Sequence, residues 1–292
     1  MTYLPQSISS ADQSSLIQAY HRLEYPSFAA RLSNVVGAPI EMGMKLLPRQ
    51  WYLNVQRCAE QAISKALDKA IANVKHKEGS SSDDFRYKAL GMVSGAVGGF
   101  FGGPALLLEL PLTTTLMLSS IVDIASSQGE DIDSFETKMA CMEVFALGGR
   151  SHSDDAAETG YYGIRMALEI PIASASSFLG RQGATISGNA PVLVDLILSV
   201  AERFGVVLSQ KAAAEIIPII GAIGGAFINN IFIQHFQDMA HSHFTIRRLE
   251  RKYGPALIQS AYERVRHNRI HLQQKKLVRP SHRLPKPIRI AA

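Results

Sequence analysis

Residues 89–125 read ALGMVSGAVGGFFGGPALLLELPLTTTLMLSSIVDIA. No charge appears from Ala89 to Leu108, and only Glu109 and Asp123 break the remainder. The first half carries Gly91, Gly95, Gly98, Gly99, Gly102 and Gly103, so that the pairs 91/95, 95/99, 98/102 and 99/103 are each four residues apart. On a helix that spacing clears a groove of small residues into which a second helix backbone can settle. A second charge-free stretch, IIPIIGAIGGAFINNIFI over 216–233, carries Gly221, Gly224 and Gly225, followed by Asn229. No run alternates apolar and polar residues over the length of a strand. The expected fold is therefore all-α, a multi-helix bundle around two glycine-rich apolar helices in mutual contact.

Working outward, Gly102-Gly103-Pro104 ends one helix and starts the next, because proline lacks the N–H that a first turn leaves unbonded; this predicts helices over about 84–101 and 104–128. Gly129 stops the second. Asp133-Ser-Phe-Glu136 has capping-box spacing with Asp133 as the cap, opening a helix to about Leu147. Further helices are expected over about 158–179, with a kink near Pro171, and over about 192–204, 206–216, 218–253 and 256–274. The connection GRQGATISGNAP over 180–191 is long enough to be a mobile or functional segment. Upstream, Pro48 opens the most clearly amphipathic helix, Arg49 to about Lys77, with apolar residues at i, i+3, i+4 and i+7. Residues 27–47 form two short segments separated at Gly37 and Pro39. A short amphipathic piece, Ser14 to Glu24, docks on the body or frays.

The chain has 292 residues, an apolar share of 47% and 19% charge, enough to fill a core. Its two cysteines, Cys58 and Cys141, lack metal-knuckle spacing, and a reducing, cytoplasmic setting is expected. The N-terminus shows no basic region followed by an apolar one, as a secretory signal would. Charge is uneven. From Arg264 onward stand Arg264, Arg266, Arg269, Lys275, Lys276, Arg279, Arg283, Lys286 and Arg289 with no acid, so the formal +5 divides into +9 here and −4 before it. Such a tail is either a solvated end or an anchor on anionic lipid. Nucleic acid is not the expected partner, because no aromatic residue follows Tyr262 to stack on bases. Tyr262, Val265, Arg266, Arg269, Ile270 and Leu272 suit a short helix with a mixed basic and apolar face.

The charge-free stretches match the length of a bilayer span, yet both are rich in Gly, Ala and Ser, and Asn229-Asn230 lies in the second. Buried core helices are the favoured reading, with peripheral insertion open.

Candidate chemistry is sparse. His235, Asp238 and His241 fall on one arc of a helix, a possible metal set, while His243 points elsewhere. No motif supplies a further ligand, and no metal or cofactor is expected. Glu109, Glu169 and Asp195 are acids among apolar neighbours; burial would raise their pKa, and the plainer alternative is that they face solvent or pair with Arg165, Arg181 or Lys138. The glycine run lacks the lysine of a phosphate loop.

Two stretches together resemble the EcsC family of bacterial proteins. One is the glycine run with Glu109-Leu-Pro111 and Ile121-Val-Asp-Ile-Ala125; the other is Ile217 to Asn229, continuing through Phe236-Gln-Asp-Met-Ala240 to Arg247-Arg248-Leu249. The resemblance covers Gln50 to Gly254, and Glu109 stands where many members have Asp. It divides the chain into an N-terminal extension (1–26), an EcsC-like helical domain (27–272) and a basic, proline-containing tail (273–292). It implies a membrane-associated helical protein, named for a gene that accompanies an ABC transporter, and it supplies no catalytic residues. The expected function is a non-enzymatic accessory protein, cytoplasmic and peripheral to the inner membrane, working with a transporter or envelope system. The alternative is a hydrolase or other enzyme with a helical-bundle pocket using Glu109 or His235, Asp238 and His241.

Overall fold

The computed structural model describes residues 8–25, 28–47, 49–71, 87–89, 103–149, 160–182, 190–216 and 221–278. Among these there is no strand. The helices are α1 (Ser10–Glu24), α2 (Phe28–Val36), α3 (Ile40–Leu46), α4 (Arg49–Ile71), α5 (Gly103–Ser127), α6 (Phe135–Leu147), α7 (Tyr161–Gln182), α8 (Pro191–Ile216), α9 (Gly221–Tyr253) and α10 (Pro255–Val278). The all-α expectation is met.

Two long helices organise the packing. α9 touches α1, α2, α5, α6, α8 and α10, while α8 touches α2, α3, α4, α5, α6, α7 and α9. Between them sits α6, buried along its whole length from Thr137 to Leu147. Phe145, Phe204, Phe232 and Phe236 meet ring to ring where these three helices converge. Aromatic side chains of this size dominate core energetics, so this cluster is the centre of the fold.

The punctuation is partly as expected. Proline opens α8 and α10, and Gly129 and Gly254 follow helix ends with φ of +77° and +89°, the left-handed region that glycine enters freely. Gly37 does the same between α2 and α3. Two expectations are corrected. The cap of α6 is Ser134, whose Oγ accepts from the Thr137 N–H; Asp133 instead donates its N–H to Asp131 Oδ1. The break expected near residue 205 is absent, because α8 runs unbroken through Gly205. A Cβ there would stand 2.9 Å from Gln56 Oε1 of α4, the end of a side chain that can swing away, so this glycine lies inside the helix beside α4 rather than ending it. α7 continues through Pro171 to Gln182, further than expected.

The described parts of the two glycine-rich regions, α5 and α9, pack together. Gly103, Gly221, Gly224, Gly225 and Asn229 lie in those helices, with Gly225 and Asn229 buried. Gly91, Gly95, Gly98, Gly99 and Gly102, and with them most of the first packing motif, lie outside the described residues. Close approaches that the structure does show fall at Gly149, after α6, where a Cβ would meet the Arg203 backbone oxygen of α8, and at Gly43 of α3, where it would meet the Ala213 backbone oxygen of α8 at 2.5 Å. No described helix is long and apolar enough to cross a membrane.

Candidate functional site

The residues singled out from sequence do not form a common site. His235 is buried, and its Nε2–H donates to the Gly148 carbonyl oxygen at 2.8 Å. Burial pushes its pKa down to about 4. Asp238 pairs with Arg31 of α2 at 2.9 Å, and His241 lines a small hollow against α1. The three arc positions thus turn to three different neighbours. Among the described residues no group of His, Cys, Asp or Glu is arranged to hold a metal. Asp195 and Glu169 are exposed, Glu169 at the rim of a cleft, and the side chain of Glu109 lies outside the description.

That cleft, of about 860 Å³, is where polar groups converge, between α6, α7, α9 and α10. Its floor is Glu143. This residue sits among the buried positions of α6 because α7 and α9 cover it, and only 6% of its side chain is exposed. Arg165 of α7 brings Nε to 3.9 Å from Glu143 Oε1 and donates from Nη1 to Glu250 Oε1 at 2.8 Å. From α9, His243 places Nε2 at 3.7 Å from Glu143 Oε2. Both approaches exceed hydrogen-bond length, so Glu143 has near neighbours but no hydrogen-bond donor among the described residues.

Behind His243 lies Tyr161, sharing a hydrogen bond of 3.1 Å with Nδ1. Arg165 Nη1 donates to the Tyr161 oxygen at 3.4 Å, which leaves the hydroxyl hydrogen for His243. The ring then carries its own hydrogen on Nε2, pointing at Glu143, and Nε2 has no hydrogen-bond partner. Burial, followed by the charges of Arg165 and Arg247, holds His243 neutral, with its pKa well below the usual range. Burial likewise lifts the Glu143 carboxyl to about 7, against the opposing pull of Arg165 and Arg247. The site therefore presents a carboxyl that exchanges its proton near neutrality, backed by a neutral histidine and a tyrosine.

The walls are fixed by ion pairs. Arg247 donates to Glu130 at 2.9 Å and to Glu136 at 3.0 Å, and Arg251 also holds Glu130. Glu24, at the end of α1, accepts from the Tyr161 N–H at 3.0 Å and from the Tyr262 hydroxyl at 2.7 Å, tying α1 to α7 and α10. Tyr262 is thus a core residue, correcting the expectation that it lies on a lipid-facing side of its helix. Arg264 is exposed on α10, and Arg266 lies 3.7 Å from Glu263. Arg269, Lys275 and Lys276 belong to α10, with their side chains outside the description; Arg279, Arg283, Lys286 and Arg289 lie outside the described residues altogether.

One surface is unusually apolar. At the corner of α3 and α4, Met42, Leu46, Tyr52 and Leu53 are 59%, 65%, 41% and 62% exposed. The Tyr52 hydroxyl donates to the Met44 carbonyl oxygen at 3.0 Å and binds the two helices together. Exposed Lys45 and Arg57 flank the corner, with Glu41 as the acid beside them, and Trp51, the single tryptophan, is half-buried within it.

An all-α body built on two long central helices, with a polar cleft on one side, defines a helical-bundle protein. More particularly, the chain belongs to the EcsC protein family, whose family model matches residues 30–249. Neither a curated protein nor a solved structure matches it.

Proposed function

We propose that this is a non-enzymatic accessory protein held at the cytoplasmic face of the inner membrane, where it serves a transport or envelope system. The observation that carries the reading is the α3–α4 corner. Four large apolar side chains exposed on two helices tied together at one corner offer apolar surface to a bilayer, and a half-buried tryptophan with flanking cations suits the boundary between headgroups and acyl chains. The basic tail supplies the complementary electrostatic attraction, up to about 1 kcal/mol per cation near an anionic surface before screening. The transporter partnership rests on the family resemblance.

Vesicle flotation tests the attachment. The full chain should float with anionic vesicles and release as salt rises. Leu46→Asp with Leu53→Asp should weaken binding at least about tenfold, because each leucine is worth on the order of 1.5 kcal/mol when buried in lipid. Its melting temperature should hold, since both side chains are exposed. Replacing Arg279, Arg283, Lys286 and Arg289 by Gln should remove most of the salt dependence. Undiminished flotation of both variants would refute the proposal.

A second reading, an enzyme working in the bundle pocket, draws support from Glu143 rather than from Glu109 or the α9 histidine arc. Turnover in a hydrolase screen that Glu143→Gln abolishes would bring it forward.

A further inference from the structure

We infer that the cleft between α6, α7, α9 and α10 is a binding site for an aliphatic polyamine, with Glu143 as the deep counter-charge and exposed Glu169 at the rim as the outer one. Five glutamates line it, Glu136, Glu143, Glu169, Glu250 and Glu263, against two arginines. Both arginines are already engaged, Arg165 by Glu250 and Arg247 by Glu130 and Glu136. An anion would find no uncommitted cation on the floor and would face the remaining carboxylates. A metal ion fits no better, since the described residues offer no metal-ligating group of three.

A cationic donor is what the floor lacks. Among the described residues nothing donates a hydrogen bond to Glu143, its ionisable neighbours standing at 3.7 and 3.9 Å, and the Ser176 hydroxyl, buried on the same lining, has no partner. An ammonium carries three donors and a full positive charge, so it meets both needs at once. The cleft is also long on apolar surface, with Met166, Ile172 and Ala173 along α7 to accept methylenes between ammonium groups. Several charges along one aliphatic chain match carboxylates placed both at the floor and at the rim, which a single ammonium would leave uncompensated.

The charged and titratable groups that face Glu143 are Tyr161 and Arg165 from α7 and His243, Arg247 and Glu250 from α9. In the empty cleft burial keeps the Glu143 proton on to about pH 7. An ammonium stabilises the ionised form, so binding releases that proton and strengthens as pH rises from about 6 to 8, a range in which aliphatic ammonium groups stay charged.

Calorimetry of the full chain with spermidine tests this. Glu143→Gln should weaken binding at least about tenfold at pH 8 and flatten its pH dependence, in keeping with the loss of a charged hydrogen bond. Hexane-1,6-diamine should bind and hexane-1,6-diol should not. Glu41→Gln, an exposed acid outside the cleft, should change nothing. Should Glu143→Gln fail to fold, exposed Glu169→Lys carries the test, with an expected loss of at least about fivefold. Absence of spermidine binding, equal binding of the diol, or wild-type affinity in the cleft variant would overturn the inference, as would an equal loss in Glu41→Gln, which would mark general surface screening.

Discussion

Glu143 holds its proton more tightly in the folded chain than in the unfolded one, at about 7 against an ordinary 4.5. Its contribution to stability is therefore full below the unfolded value and is lost as pH climbs through the folded one. Glutamine keeps the neutral shape without that dependence. Glu143→Gln should accordingly gain on the wild type by up to about 3 kcal/mol between about pH 5 and 8, read from urea unfolding at each pH. A difference that does not move with pH would show that the carboxyl is not buried as described. His235 has the opposite sign, its stabilisation present above 6.5 and lost as pH falls towards 4, but it acts in both proteins and cancels in the difference. The sequence held a signal for this cluster: His243, Arg247 and Glu250 recur at i, i+4 and i+7 on α9, and Tyr161 and Arg165 at i, i+4 on α7. Acids with apolar neighbours in sequence drew the reading elsewhere. Glu143 carries the same signature, standing between Met139–Met142 and Val144–Leu147, but the reading passed over it, because a local pattern shared by several acids does not say which of them α7 and α9 close over.

Helix existence was readable wherever periodicity or punctuation was strong, and helix boundaries were readable only where the deciding interaction is local. Gly205 illustrates the limit, since its intrinsic cost in a helix is outweighed by the packing of α8 against α4, α6 and α7, a tertiary effect. The cap of α6 went to Ser134 rather than Asp133. Ser134→Ala should therefore cost about 1 kcal/mol in chemical denaturation, while Asp133→Ala should cost a few tenths at most. The reverse ranking would restore the Asp133 reading. Between elements, the tight crossing of α3 on α8 predicts that Gly43→Ala destabilises by about 1–3 kcal/mol, because its new methyl group meets backbone rather than a side chain that can rotate away. A neutral effect on the thermal midpoint would mean that the helices are further apart than 2.5 Å from Cβ to carbonyl oxygen implies.

At the scale of the molecule, α1 is part of the bundle: Leu16, Ala19, Tyr20 and Leu23 are core residues, and Glu24 bonds to α7 and α10. The docking alternative for this piece is the one found, although the helix stands before the stretch that the family model matches. With the body closed around α8 and α9, four of the exposed large apolar side chains of the described residues stand at the α3–α4 corner, others such as Met166 and Ile170 standing elsewhere, and the membrane reading turns on that corner. Trp51 reports on it without any label, being the only tryptophan in the chain. The decisive measurement is Trp51 emission on anionic vesicles whose acyl chains carry bromine. The account predicts a blue shift on binding and quenching by the brominated lipid, both abolished by Leu46→Asp with Leu53→Asp. Vesicle-bound protein with unshifted, unquenched Trp51 would contradict it.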